Sequence, residues 1–167
     1  MLHTVKRKFE NVAGALCEIM IPIKHEYYIG QGNSVAICTL ASLSLLEIIA
    51  KRPDLMSRIL VLGRLLSENR GIDALIRFTL KYPRLHHMVI CGEEVKGHRS
   101  GQALLSLHAN GANGEDGRII GAIGPNPFLS CSQAEIESFR RQVRIYDLVG
   151  TDDLKVIGAQ LSLLSDG

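Results

Sequence analysis

Short apolar runs alternate along the chain with stretches in which apolar residues recur every three or four positions. Residues 4–20 carry Val5, Phe9, Val12, Leu16 and Ile19 in such a stripe, which predicts an amphipathic helix ended by Pro22. Tyr27–Ile29 reads as a short extended piece and Gly30-Gln-Gly-Asn-Ser34 as a turn. Val35–Leu40 is a short buried strand; Ser42 is placed to cap a helix that turns Leu45, Ile48 and Ile49 inward and stops at Pro53. Ile59–Leu62 predicts a second strand, closed by Gly63. The polar loop Ser67–Gly71 then leads into a helix with Ile72, Leu75, Ile76 and Leu80 inward, stopped before Pro83. Met88–Cys91 is the third strand, and a helix runs from about Ser100 to the stop at Asn110-Gly111. After a loop over 112–117, Arg118–Ala122 predicts a fourth strand, broken by Gly124-Pro-Asn-Pro127. Ser132-Gln-Ala-Glu135 has the form of a capping box, opening a helix that carries Ile136, Phe139, Val143 and Ile145 or Tyr146. Thr151–Leu164 is a last helix with Leu154, Ile157, Leu161 and Leu164 inward.

Short apolar strands alternating with helices imply an α/β fold: a Rossmann-like, mainly parallel sheet flanked by helices. No repeat or linker divides residues 1–167, so a single domain is expected. A formal charge of +2 with 22% charged residues points to neither nucleic acid nor an anionic membrane as partner. No apolar run reaches the roughly 18–20 residues needed to span a bilayer. No cleavable secretory pattern is present, and a soluble, cytoplasmic protein is expected. Cys17, Cys38, Cys91 and Cys131 form no CxxC pair, and three sit among apolar neighbours, which suits reduced, buried thiols.

Candidate chemistry concentrates after the third strand, where Gly92-Glu-Glu-Val-Lys-Gly-His-Arg-Ser leads into a helix. Ligands of open α/β sheets bind at the carboxyl ends of strands, which makes His98 the leading candidate. The segment has phosphate-loop spacing, but His98 stands where the phosphate-binding lysine would be and two glutamates add negative charge. Gly30-Gln-Gly-Asn-Ser-Val resembles a dinucleotide fingerprint yet precedes its strand, so its glycines would not face a pyrophosphate. Cys91, His98 and His108 lack the compact ligand pair of a zinc site. His86 and His87 fall at the opposite end of the sheet, facing solvent. His98-Arg-Ser-Gly101 matches the His-x-x-Gly interval by which several corrinoid proteins hold cobalt from below. A neutral imidazole suits that metal, and its second nitrogen can be tuned by a hydrogen bond. The aspartate that does so in the commonest version is Lys96 here, and the interval alone also fits an ordinary polar loop histidine.

The longer string Cys91-Gly-Glu-Glu-Val-Lys-Gly-His-Arg-Ser-Gly-Gln102, continuing to Gly121-Ala-Ile-Gly-Pro-Asn-Pro-Phe128, resembles the corrinoid-carrying A subunit of tetrahydromethanopterin S-methyltransferase. Phe139-Arg-Arg-Gln-Val-Arg-Ile-Tyr-Asp-Leu148, Tyr28-Ile-Gly, Val35–Ser42 and Glu68-Asn-Arg-Gly-Ile72 are similar to further blocks of that family, and the likeness covers about residues 27–160. The resemblance implies a cobalamin cofactor with His98 as lower axial cobalt ligand. It implies a methyl carrier whose cobalt takes a methyl group from a methyl-pterin as Co(I) and passes it from methyl-Co(III) to a thiol, the imidazole leaving and rebinding in each cycle. Partner methyltransferase subunits would handle donor and acceptor. Gly97, Gly101, Gln102, Ser67, Glu68, Asn69, Gly71, Gly121, Gly124 and Pro125 would contact the corrin or its nucleotide tail. Ordinary turn and capping chemistry is the other reading of these loops.

Three departures stand out. Membrane-bound family members end in a transmembrane helix, whereas this chain reaches Gly167 through an amphipathic one, so it resembles the soluble, stand-alone homologues. The family's histidine after Leu-Ala-Ser is Leu43 here, and the helix predicted over 4–20 has no counterpart. A cobalamin store, chaperone or sensor would share the same pocket, and a nucleotide- or pterin-using Rossmann enzyme would share the scaffold without the corrinoid.

Overall fold

The computed structural model describes residues 27–165; the helix predicted over 4–20 and Cys17 lie outside them. One five-stranded sheet carries the fold. Its strands are β1 (Tyr27–Ile29), β2 (Val35–Cys38), β3 (Val61–Gly63), β4 (His87–Gly92) and β5 (Arg144–Val149), in the order β1-β3-β2-β4-β5. Only β1 is antiparallel, pairing with β3; the rest are parallel, with Ala36 beside Met88 and Met88 beside Ile145.

Both faces of the central strands are covered, which is why they read as unbroken apolar runs. Ala36, Cys38, Met88 and Ile90 pack against Ile72 and Ile76 of α3 (Arg70–Lys81), Leu104 and Leu107 of α4 (Ser100–Asn110), and Phe139 of α5 (Gln133–Gln142). Val35, Ile37, Val89 and Cys91 face α1 (Leu43–Ala50), α2 (Pro53–Met56) and α6 (Leu154–Ser165). Gly30 and Gly32 serve packing: a Cβ on either would strike the backbone of Met56–Ile59. The chain winds from β2 to β3 on one side and then crosses to β4 on the other, so strand order reverses between β2 and β4. That is the switch point at which such folds open a crevice.

Several expectations need correction. The predicted strand over 118–122 does not join the sheet. Its Gly121 is left-handed (φ +86), and Ile119 bonds back to Pro127 within one long loop, leaving only isolated bridges Ala112–Ile119 and Arg118–Phe128. The missing parallel strand is β5, which the helix predicted through Ile145 or Tyr146 had absorbed. α5 ends at Gln142, whose Nε2 donates towards the carbonyls of Thr79, Tyr82 and Leu85, and Val143 is already extended. β3 is centred nearer Gly63 than predicted, and Pro53 opens α2 while the first helix stops earlier, at Ala50. Ile48 is 48% exposed, and Ser42 does not cap α1 because its Oγ accepts the amide of Glu93 at 2.8 Å. The capping box forms as predicted, Ser132 and Glu135 satisfying each other's amides.

Candidate functional site

Three loops meet at the carboxyl edge of the sheet: the one after β3, the one after β4, and the long loop between α4 and α5. Ser100, the first residue of α4, ties two of them together, its buried Oγ donating to the Leu65 carbonyl at 2.6 Å. At the turn before α4, Glu94 accepts the amides of Val95, Gly101 and Gln102 at 2.8, 2.9 and 2.7 Å. The positive end of that helix therefore already holds a carboxylate, which takes two first-turn amides and opposes the charge of a phosphate. Gly101 is small for the same reason. A Cβ would come within 2.7 Å of Leu40 Cδ1 and 2.9 Å of Glu94 Oε2.

His98 precedes Arg99, which caps α4 in a left-handed conformation (φ 50, ψ 48) that non-glycine residues seldom adopt. Gly97 on its other side has φ +84 and open space around it. The imidazole is 55% exposed, and its Nδ1 lies 2.8 Å from Oε2 of Glu68, whose side chain is fully buried. The second carboxylate oxygen accepts the Asn126 amide at 2.9 Å. Burial pushes the Glu68 carboxyl up. Its own amide, the Asn126 amide and the His98 ring outweigh that and hold it below the usual carboxylate range. An ionised carboxylate only accepts, so Nδ1 donates in this bond, and in the neutral form of the ring Nε2 is the nitrogen with the free lone pair.

The long loop forms the adjoining wall. A Cβ at Gly124 would collide with the His98 carbonyl oxygen and come within 3.2 Å of Glu68 Cγ. Asn69 Nδ2 donates to the Asn126 carbonyl at 3.2 Å. Gln102 Nε2 donates to the Gly121 carbonyl and to Ser106 Oγ, both at 2.9 Å, while its Oε1 accepts the Ile123 amide at 3.1 Å.

The structure thus brings His98, Glu68, Asn69, Gly124 and Asn126 together, whereas Gly121 lies further along α4, against Ser106 and Asn110. Ser67 and Gly71 are occupied with each other, Ser67 Oγ accepting the Gly71 amide at 2.8 Å. Both also line a largely apolar groove of about 480 Å³, together with Tyr27, Val61, Leu75 and Phe78. His98 is not among its lining residues and stands on an open surface. Asn126 was missed by sequence reasoning, and the role of Glu68 as partner of His98 was too. Glu68 and His98 lie 30 residues apart, and no local spacing signals the pair.

Other candidates disperse. His108 Nε2 is 2.7 Å from the Val143 carbonyl oxygen, with its ring edge-on to Phe139. Cys91 is buried on the opposite face of the sheet. His86 is exposed as expected, but His87 is half-buried with Nδ1 3.0 Å from the Tyr146 hydroxyl.

Comparison with known sequences sets this geometry in context. The family model MtrA, which describes the A subunit of tetrahydromethanopterin S-methyltransferase, matches residues 18–166.

The chain belongs to the A-subunit family of tetrahydromethanopterin S-methyltransferase.

The second form of this A subunit from Methanothermobacter marburgensis is 38% identical over 130 residues, covering 77% of this chain and 67% of the relative. The A subunit of Methanosarcina acetivorans is 33% identical over 141 residues, 83% of this chain and 56% of the relative. The A subunit of the "Putative methyltransferase Mtx" from the same organism is 31% identical over 134 residues, 79% and 63% of the two chains. The aligned part therefore spans between about half and two thirds of these relatives. No helix among the described residues is long and apolar enough to cross a membrane. Every structural feature built around His98 falls within the family match.

Proposed function

We propose that this chain is a corrinoid-carrying methyltransferase component that binds cobalamin, with His98 Nε2 as the lower ligand of cobalt. The observation that carries the reading is the His98–Glu68 pair: a half-exposed ring with its proton fixed on Nδ1 by a fully buried carboxylate. Ligating histidines are commonly oriented by such a partner, which fixes the tautomer and raises the basicity of the ligating nitrogen. The donor set fits the group.

When bound, the corrinoid supplies a cobalt centre that can accept a methyl group from a methylated pterin and release it to a thiol. The chain's own residues do the rest. Glu68 holds the proton on Nδ1, and the Asn126 amide holds Glu68. Gly97, left-handed with open space where a Cβ would stand, leaves room beside His98 for a large ligand to approach the backbone. The segment around Gly124 and the Asn69 side chain stand beside the imidazole, where they would face the corrin's rim. Glu94, by closing the α4 N-terminus, disfavours the nucleotide-binding alternative. Membership of a methyltransferase family supports carriage over storage or sensing, and partner subunits would bring the methyl donor and acceptor.

The test is retention of hydroxocobalamin by the purified chain after gel filtration, for wild type and His98→Ala. Stoichiometric retention by wild type, weakened in the variant, is expected. No retention by folded wild type refutes the reading.

A further inference from the structure

Gln102 carries a side-chain amide with both ends engaged within the chain. Nε2 meets the Gly121 carbonyl and Ser106 Oγ at 2.9 Å, and Oε1 meets the Ile123 amide at 3.1 Å. A primary amide that accepts from one backbone group and donates to another two residues away pairs like a strand neighbour, here with a loop that has no strand to pair with. Gly121 is left-handed (φ +86), and the segment from Gly121 to Ile123 belongs to no sheet, so no ladder holds it.

The clamp's consequences run towards the imidazole. Immediately after Ile123, Gly124 packs so closely on the His98 carbonyl and Glu68 Cγ that it tolerates no side chain. Two residues further on, the Asn126 amide holds Glu68 Oε1 at 2.9 Å, and the Asn126 carbonyl accepts from Asn69. Glu68 gives its other oxygen to His98 Nδ1. Gln102, four residues after His98 and in the first turn of α4, therefore reaches the ring twice: through the wall against its backbone and through the amide that orients its carboxylate partner.

We infer that Gln102 is a positioning residue that acts on His98 through the Gly121–Asn126 segment and Glu68, and that it is not a contact of the bound cofactor. The inference deepens the cobalamin reading and rests on it for its ligand, but its first arm needs no cofactor. Three variants separate the bonds. Gln102→Ala removes the clamp. Gln102→Met keeps the length without either polar atom. Gln102→Glu keeps the acceptor for Ile123 and opposes a carboxylate to the Gly121 carbonyl.

The first arm is ¹⁵N NMR of the histidine rings in the chain without cobalamin. Wild type shows His98 protonated on Nδ1; all three variants show a population protonated on Nε2 or a tautomer average. The second arm is the nitrogen hyperfine signal of bound Co(II) cobalamin together with its dissociation constant. Loss of an outer partner of a metal-ligating histidine weakens affinity about 10- to 100-fold, and a value near the lower end is expected because Glu68 remains. Hydrogen exchange over residues 119–128 monitors the wall. Faster exchange there with an unchanged His98 tautomer and unchanged hyperfine signal would make Gln102 a structural staple only and overturn the inference. Weaker binding with unchanged tautomer and unchanged exchange would make it a direct cofactor contact and also overturn it. Failure of wild type to bind cobalamin refutes the proposed function, while the first arm still decides whether Gln102 governs the ring.

Discussion

Replacing Glu68 by Gln preserves shape and removes one acceptor. Besides its own amide, the carboxylate serves the Asn126 amide at 2.9 Å and His98 Nδ1 at 2.8 Å, with no exposure of its side chain. In Glu68→Gln the carbonyl oxygen can still meet the Asn126 amide, which leaves the NH2 group aimed at Nδ1. Two donors cannot share that line, so the ring moves its proton to Nε2 and blocks the lone pair that cobalt requires. A tenfold to hundredfold loss of cobalamin affinity is expected, about 1.4–2.8 kcal/mol. Stability changes less than affinity. Charge-assisted hydrogen bonding of about 1.5–3 kcal/mol is weakened, but the desolvation of a buried carboxylate is relieved with it. Equilibrium dialysis against hydroxocobalamin measures the loss, and histidine ring ¹⁵N shifts report the tautomer. Wild-type affinity in Glu68→Gln, with His98 still protonated on Nδ1, would refute the reasoning that the pair sets the ligand.

Three other outcomes test the scaffold. Asp73 accepts from the Ser130 amide and hydroxyl and the Cys131 amide at 3.0, 2.7 and 2.9 Å; Asp73→Asn should cost about 1.5–3 kcal/mol and lower Tm by about 3–12 °C, read by calorimetry. Burial raises the Asp73 carboxyl, but these donors lower it further, so its folded pKa lies below the ordinary value. Its contribution is complete above the unfolded value of about 3.9 and is lost as pH falls through the folded one; urea midpoints should therefore fall more steeply below about pH 4 in wild type than in Asp73→Asn. Gly101→Ala forces Leu40 and Glu94 to shift and should lower the urea midpoint by the equivalent of about 1–3 kcal/mol; an unchanged midpoint would contradict the packing. Burial pushes the Cys38, Cys91 and Cys131 thiols up to about 12, so peptide mapping after iodoacetamide at pH 8 should find them unmodified in the native chain and modified in urea.

Where local chemistry decides structure, the sequence was readable. The runs Val35–Cys38 and Met88–Cys91 sit between breakers and became central strands, and the Ser132–Glu135 box opened its helix. Where tertiary contacts decide, it was not. Nothing between Gln142 and Arg144 breaks a helix; the chain extends there because Gln142 is drawn to the end of α3 and β5 finds β4. Arg118–Ala122 has a strand's composition but no strand to pair with. Ser42 is a capping residue by type, and the Glu93 amide takes its hydroxyl instead. At the candidate site the same division holds. His98 was visible from its place after a strand, whereas its pairing with Glu68 depends on two loops that only folding brings side by side.

The account turns on one bond, from His98 Nε2 to cobalt. Its most direct test is the electron paramagnetic resonance spectrum of the Co(II) cobalamin complex formed with protein whose histidines are ¹⁵N-labelled in the ring. A lower ligand from His98 splits each cobalt line into a doublet, because ¹⁵N has spin one half, and the doublet disappears in His98→Ala. A triplet in the labelled complex would mean that unlabelled nitrogen, the cofactor's own base, still holds the lower position, and would contradict the assignment of His98.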